Sequence, residues 1–556
     1  MKIKKIFWLG LLILVLQSDL YSKSLSEKTR FYFYTLYQNC LNILNSERVQ
    51  SRQWLSGKVQ EHYNSSNPFK DQQANVRLGV SISDQEKEFL NIRSEISLEA
   101  LKNFLGDQSL TLETMPRIGV CVSGGGFRSA VAALGSFQGM HDIGLLDTIL
   151  IVSGISGGTW LIGPWVYGKM TLDEFKQTVP MSLEHVLGSF AIDIVHASIL
   201  KKMIFGQPIS IIDVYGALVA RSFLKKFGAH CNTVCISACQ VDPHSHPYPV
   251  FAALEPLSQW AVDYCKGYRW YEINPYEVGT DDLGSGQKGA FVPVWAWGRE
   301  FKNGKSIDRG PEQSLGFFMA VCGSAFEYAL RDVTPKLVKD LTNVEQDLLD
   351  ELPDLFNLAP ASIKRFLPSL DTFKRELRDS FAWLIEHRHS PASFHAIVPG
   401  LQDTYTTLID AGVACNIPLH AAMRKDRALD VIIVLDATSP IGDADQLKVA
   451  QYFVESRGYQ LPPIDYHKVD KNMISIFSDN SMSKPTIIYI PLRNNPNYSQ
   501  FDVSKCETTD FCATFNVHYT QKQVDDLSKF TRFTLNEQKD VLKQALKNVV
   551  ACKKRR

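Results

Sequence analysis

Ile149-Leu150-Ile151-Val152-Ser153-Gly154-Ile155-Ser156-Gly157-Gly158-Thr159-Trp160 decides how this chain is read. The apolar, largely β-branched run marks a buried strand, and the small residues after it cannot prolong it. Gly154-x-Ser156-x-Gly158 is the G-x-S-x-G form of a nucleophile elbow, a sharp strand-to-helix turn in which small flanking residues relieve crowding. Such a turn lifts the Ser156 hydroxyl out of the sheet and aims the next helix N-terminus at a developing negative charge. Alone, the pattern also fits an ordinary Gly/Ser-rich loop, so its neighbours carry the decision.

Upstream, Arg117-Ile118-Gly119-Val120-Cys121-Val122 reads as a second buried strand. It runs into Ser123-Gly124-Gly125-Gly126-Phe127-Arg128 and then the small-residue helix start Ser129-Ala130-Val131-Ala132-Ala133-Leu134. Consecutive glycines after a strand leave backbone N–H groups free to converge on an anion, with a helix dipole behind them. A dinucleotide cradle fits poorly, because G-x-G-x-x-G needs glycine where Ser129 stands, and no G-x-x-x-x-G-K-[ST] is present here. The better reading is an oxyanion hole from Gly124, Gly125 and Gly126, with the Gly157 N–H, serving Ser156 one βα unit later. Arg128 then supplies a fixed cation at the same spot. Without Ser156, these residues would read as a tight βα turn with a solvated arginine.

A serine nucleophile needs a base. The chain has 13 histidines, none in a recognisable triad context. His420 stands soon after Asp410 and reads as a pocket-wall or surface residue. Asp410 has the best context among carboxylates, in Thr407-Leu408-Ile409-Asp410-Ala411-Gly412 before Asn416-Ile417-Pro418. An Asp takes a serine proton directly if burial raises its pKa above the free value of about 3.9. The competing reading is a turn Asp bonded to its own backbone. Asp436, closing the strand-like Leu429 to Leu435 run before Ala437-Thr438-Ser439-Pro440, reads as a turn former.

SGGGFRSA, GISGGTW and DAG, in that order, resemble the catalytic domain of the cytosolic (group IV) phospholipase A2 and phospholipase B (lysophospholipase) family. The resemblance extends over Pro275 to Gly279, Gly289 to Pro293, Gly323 to Phe326, Thr514 to Asn516 and Phe533 to Asn536, roughly residues 80 to 550. It implies an α/β fold related to patatin, a central mixed sheet flanked by helices with a helical lid insertion. It also implies a histidine-free pair, with Ser156 as nucleophile, Asp410 as general base and Arg128 as phosphate or oxyanion partner. The implied activity is fatty-acid release from glycerophospholipids or lysophospholipids in a membrane or micelle, without metal or organic cofactor. A neutral-lipid esterase or acyltransferase on the same site is the rival enzyme, and an inactive lipid-binding protein the rival outside catalysis.

Two departures from the family stand out. Only about 60 mature residues precede Ser81, too few for the C2 β-sandwich that animal members often carry, so calcium-dependent docking is not expected. Residues 1–22 have a secretory layout: basic Met1 to Lys5, apolar Ile6 to Leu16, and small residues up to Ser22. The apolar run is short against the roughly 20 residues of a membrane span, which favours a cleaved signal over an uncleaved anchor. The expected location is therefore secreted, periplasmic or in the cell envelope.

Composition agrees with one large core or two domains: 556 residues, 45% hydrophobic and 21% charged. Formal charge is zero, and removing residues 1–22 with their three Lys and one Asp leaves 56 basic against 58 acidic residues. No basic field invites nucleic acid or an anionic surface. The 11 cysteines are too sparse for a disulfide-built fold, though Cys506 and Cys512 are placed to pair in an oxidising compartment. Cys231, Cys235 and Cys239 step by four, which suits one helix face better than a zinc site.

The expected layout is a signal at 1–22, an N-terminal helical segment at 23–106, a catalytic domain at 107–550 and a solvated basic tail at 551–556. Ser83-Asp84-Gln85-Glu86 predicts a capping box, with Phe89, Ile92, Ile96, Ala100 and Phe104 as the buried stripe of a helix stopped by Gly106. Residues 331–392 read as a charged amphipathic insertion whose leucines cover an acyl pocket or pack a surface hairpin. Residues 524–550 predict a pair of helices.

Overall fold

The described residues of the computed structural model are 67–179, 210–257, 267–283, 289–325, 392–397, 405–439, 444–469, 472–479, 483–504 and 518–555. Positions 202, 205, 207, 208, 506, 511–514 and 516 are also described. The expected signal at 1–22, residues 23–66 of the expected N-terminal helical segment and almost all of the 331–392 insertion lie outside them.

Four parallel strands form the centre: β2 (Ile118–Val122), β3 (Ile149–Gly154), β10 (Val431–Asp436) and β12 (Thr486–Pro491). Every residue in them is buried. Their unbroken β-branched runs are what a parallel strand covered on both faces requires. Val120, Val122, Val431, Ile433 and Leu435 pack into one core, while Cys121, Ile432 and Val434 pack into the other. The two cores follow from the period-two alternation of a strand.

Beyond β3 the sheet turns antiparallel. β4 (Tyr248–Pro256) pairs parallel to β3, then β5 (Tyr268–Ile273), β6 (Glu277–Thr280), β7 (Ala290–Pro293) and the short β1 (Arg77–Leu78) follow antiparallel. The far edge is closed by β11 (Ser475–Phe477) on β12. The spatial order is β1-β7-β6-β5-β4-β3-β2-β10-β12-β11, and β9 (Tyr405–Asp410) with β8 (Ala392–His395) branches from β4. This 12-stranded mixed sheet meets the expected fold class.

The branch positions the chemistry. β4 pairs with β3 through Gly154↔Phe251, where β3 ends and leaves that side of β4 open. β9 takes up the opening in the antiparallel sense, through Asp410↔Ala253 and Ile409↔Leu254. One strand thus sets two incoming chain ends two residues apart along its length.

Helices cover both faces. α1 (Asp84–Leu105) is capped by Ser83, whose side chain accepts the Glu86 N–H, and it ends at Gly106. Only half of the expected capping box forms, because the Glu86 carboxylate goes to Arg427 Nε at 2.7 Å. The buried stripe is rotated from the expected one, running through Phe89, Arg93, Ser97, Leu101 and Phe104 with Ile92, Ile96 and Ala100 at its margin. Arg93 takes a core position because its guanidinium donates to the carbonyls of Ile149 (3.0 Å), Asp147 (3.2 Å) and Pro243 (3.2 Å).

On the same face, α7 (Leu419–Met423) leads into a buried ion cluster. Arg427 donates to Glu272 Oε1 at 3.0 Å and Oε2 at 2.8 Å, and Arg424 reaches Glu272 Oε2 at 2.9 Å. His420 pairs with Asp281 at 2.9 Å.

On the other face, α2 (Gly126–Asp142) packs along α9 (Gln521–Glu537), and α5 (Ile211–Phe223) packs along α6 (Leu315–Cys322). The two helices expected near the C-terminus are α9 and α10 (Lys539–Lys553). The tail is not simply solvated: Lys553 pairs with Asp430 at 2.6 Å and Lys554 with Asp107 at 2.9 Å. No helix of the described residues is long and apolar enough to cross a membrane. The three cysteines stepping by four do not share a helix face. They span a 3-10 stretch ending at His230, a turn, and the short helix Ile236–Cys239.

Candidate active site

At the end of β3 the chain reverses into α3 (Gly157–Ile162), and Ser156 sits at the turn with φ 48° and ψ −124°. A non-glycine residue here costs about 1–3 kcal/mol, so the surroundings hold it in place. They do so by close approach: a Cβ on Gly157 would lie 1.9 Å from the Gly126 carbonyl oxygen. Only glycine lets the elbow rest against the glycine loop. Ser156 is 5% exposed, a buried hydroxyl rather than a surface one.

The loop after β2 is held as firmly. Gly125 has φ 128°, and α2 begins at Gly126. The first N–H groups of α2 and of α3 have no acceptor within their own helices. Ser156 caps α3, and the close approach of Gly157 to Gly126 brings the start of α2 beside it. Gly124 departs from the expected oxyanion role, because its N–H is spent on the Asn416 carbonyl at 3.0 Å. Gly124 instead serves packing: a Cβ there would meet the Asn416 side chain at 2.0 Å and Ser156 Cβ at 3.1 Å. In the sequence Asn416 stands merely beside the Asp410 turn. Its place between Gly124 and Gly412 is a tertiary fact, with no local signal.

Asp410 ends β9 and is fully buried. Its Oδ1 accepts the Gly412 N–H at 2.8 Å, the local turn bond, and its Oδ2 accepts the Ala325 N–H at 3.2 Å. Its own N–H donates to Ser324 Oγ at 3.0 Å. Burial pushes the carboxyl up to about 6, against the Gly412 N–H, the Ser156 side chain and the Ala325 N–H, whose hydrogen bonds favour the charge. Among the described residues no ion pair involves it, so nothing offsets the desolvation as a cation would. Tyr215 and Cys322 are close enough that, after burial, the Asp410 charge raises their pKa values further.

The other candidates are placed elsewhere. His420 is neither pocket wall nor surface: it is 2% exposed, bound to Asp281, and flanked by Trp270 and Tyr459 with ring centroids 5.4 Å away. It lies on the face of Trp270, whereas Asp410 follows the alternation of Leu408 on the opposite face. Asp436 is a turn former as expected, accepting the Thr438 N–H at 2.9 Å and the buried Tyr489 hydroxyl at 2.6 Å. Arg128 is only 1% exposed. Its Nε donates to the Ala437 carbonyl at 2.8 Å, Nη1 to the Cys512 carbonyl at 2.5 Å and Nη2 to Thr514 Oγ1 at 3.2 Å. Three of its five N–H donors thus bind the chain itself, at Ala437 and in the 512–514 segment, where the expected partner was a phosphate or the oxyanion.

The arrangement places a strained serine, a carboxylate poised near neutral pH and two helix N-termini at the carboxyl ends of β2 and β3. Open α/β sheets hold their ligands at that edge, where the strand order reverses. A family model described as the lysophospholipase catalytic domain matches residues 118–551. Cytosolic phospholipase A2 zeta of Mus musculus is 23% identical over 541 residues, covering 85% of this chain and 62% of the relative. Cytosolic phospholipase A2 beta of Homo sapiens is 23% identical over 537 residues, covering 86% and 67%. The chain thus spans about three-fifths of the length of such relatives. The solved structure of human GIVD cytosolic phospholipase A2 has the same fold, with a TM-score of 0.63 at 19% identity over 86% of this chain and 68% of that one. Another structure of that enzyme holds methyl gamma-linolenyl fluorophosphonate.

Proposed function

Because the chain belongs to the lysophospholipase catalytic-domain family, we propose that it is a serine acyl-ester hydrolase that releases fatty acid from glycerophospholipids or lysophospholipids. The observation that carries the reading is Asp410: a fully buried carboxyl, raised to about 6, near enough to the elbow for the Ser156 side chain to favour its charge. A base of that strength is mostly ionised at neutral pH, yet basic enough to take the serine proton as attack begins.

Ser156 Oγ attacks the ester carbonyl and passes its proton to Asp410. The tetrahedral oxyanion is held by the free N–H groups that open α2 and α3, at Gly126 and Gly157, with Gly125 shaping the loop. Protonated Asp410 then gives its proton to the departing lysolipid or glycerol oxygen, leaving an acyl-serine. Water deprotonated by the same Asp410 attacks the acyl carbonyl, and the proton returns to Ser156 Oγ as the fatty acid leaves. Each step uses only side chains and backbone of this chain.

The basic and apolar pattern of residues 1–22 supports export across a membrane, which the mass of the mature N-terminus checks.

The test is product analysis by mass spectrometry on mixed-chain phosphatidylcholine and its lyso form. Native protein releases fatty acid, Ser156→Ala releases none while melting at the native temperature, and a fluorophosphonate labels Ser156 alone. Labelling that survives Ser156→Ala would move the nucleophile elsewhere.

A further inference from the structure

Arg128 touches the glycine loop and a remote segment at once. A Cβ on Gly125 would lie 3.3 Å from Arg128 Nη2 and 2.8 Å from the Ala437 carbonyl, the same carbonyl that accepts Arg128 Nε. Ala437 is fixed at its other end too, its N–H donating to Ser123 Oγ at 2.9 Å. The glycine loop therefore rests in a cradle of Ser123, Ala437 and the guanidinium.

The guanidinium in turn rests on the Cys512 carbonyl and Thr514 Oγ1. Cys512 is joined to Cys506 by a disulfide, and both residues are fully buried. Close by, Tyr519 stacks on Phe127 of α2 at 5.7 Å and meets Phe511 at 5.2 Å, so the segment also grips the start of α2.

We propose that Cys506, Cys512 and Thr514 position the oxyanion loop through Arg128, and that the disulfide between the two cysteines is what holds this support in register. The role is positioning, since none of these groups touches a reacting atom. A carbonyl that must meet a guanidinium fork tolerates little drift, because the bond weakens steeply with angle. Reduction by a dithiol opens the bond: two electrons and two protons convert the disulfide to two thiols, and the dithiol becomes its own disulfide. The Cys512 carbonyl is then tethered by backbone alone, and the loop beside Ser156 loosens without losing a single catalytic group.

The proposal rests on the hydrolase reading for its effect on rate but not for its effect on structure, and the experiment separates the two. Amide hydrogen exchange over residues 123–128 and steady-state kinetics are measured on the full chain, with and without dithiothreitol, and on a Cys506→Ser/Cys512→Ser variant. The opened or disulfide-free protein should exchange faster at 123–128. Its kcat should fall about tenfold, the scale of one charged hydrogen bond, equally on phosphatidylcholine and p-nitrophenyl butyrate with KM nearly constant. Arg128→Lys, which lacks the fork, should lose activity on both substrates and respond little to reductant. Unchanged exchange at 123–128 in the disulfide-free variant overturns the clamp. Faster exchange in a protein whose native form cleaves neither ester keeps the clamp and discards the hydrolase reading.

Discussion

Two buried carboxylates lie on opposite faces of one sheet and behave in opposite ways. Asp281 sits among His420, Arg424 and Arg427, and although burial alone would raise its carboxyl, these groups hold it well below the usual range. Asp410 is as deeply buried and meets only neutral donors, so its carboxyl rises to about 6. Both stand near a potential proton partner, His420 in one case and Ser156 in the other. What separates a structural ion pair from a base in waiting is the compensating cation, not burial or proximity.

Asp410→Asn tests the chemical side and should have the largest effect, a fall in kcat/KM on the order of 10³–10⁴, as for a member of a catalytic group that acts as a unit. Titrating acyl release against residual activity at high enzyme concentration measures it; a loss of only a few-fold would move the base elsewhere. Glu272→Ala tests the structural side. It removes the carboxylate that Arg427 and Arg424 share in a buried site, leaving Arg427 on Glu86 and Arg424 on Asp281, and should cost about 3–5 kcal/mol of stability in urea, while the activity of the remaining folded molecules stays native.

The pH dependence sharpens the contrast. Below about pH 6, kcat/KM should fall tenfold per unit as Asp410 takes a proton. The folded chain holds that proton more tightly than the unfolded chain, so Asp410's contribution to stability is full below about pH 4 and lost as the pH rises through 6. Asp281 runs the other way, its contribution present above about pH 4 and lost as acid protonates it. A kcat/KM limb that survives in Asp410→Asn would belong to another group. The smallest effect belongs to His420→Gln, with activity within about threefold of native and a stability loss of about 1–3 kcal/mol from the Asp281 hydrogen bond. A loss as deep as that of Asp410→Asn would overturn the comparison itself.

Much of this was legible in the residues. β2, β3 and β10 announce themselves as β-branched runs, and the elbow and glycine loop are local turns whose small residues record local crowding. Asp410 was singled out by its turn, and the family resemblance strengthened it. The remainder depends on partners far off in sequence. Nothing near Gly124 says that its N–H belongs to Asn416, and nothing near Arg128 points to Cys512. The buried stripe of α1 turned because a helical pattern counts apolar residues, whereas Arg93 earned its core position from three carbonyls. His420 reads as pocket wall or surface because nothing near it in sequence names Asp281, its buried partner, and only the strand alternation shows that a sheet separates it from Asp410.

The branching of β9 from β4 makes the site digital with respect to chain length. Two incoming ends are measured off against one ruler, by Gly154↔Phe251 and Asp410↔Ala253. Adding or deleting one residue inside 405–410 would turn the carboxylate to the opposite face and present Ile409 or Ala411 in its place. β8 is counted by the same ruler, paired with β9 from Ala392↔Leu408 to His395↔Tyr405, so tolerance to insertion should be near zero within 392–395 as well as within 405–410.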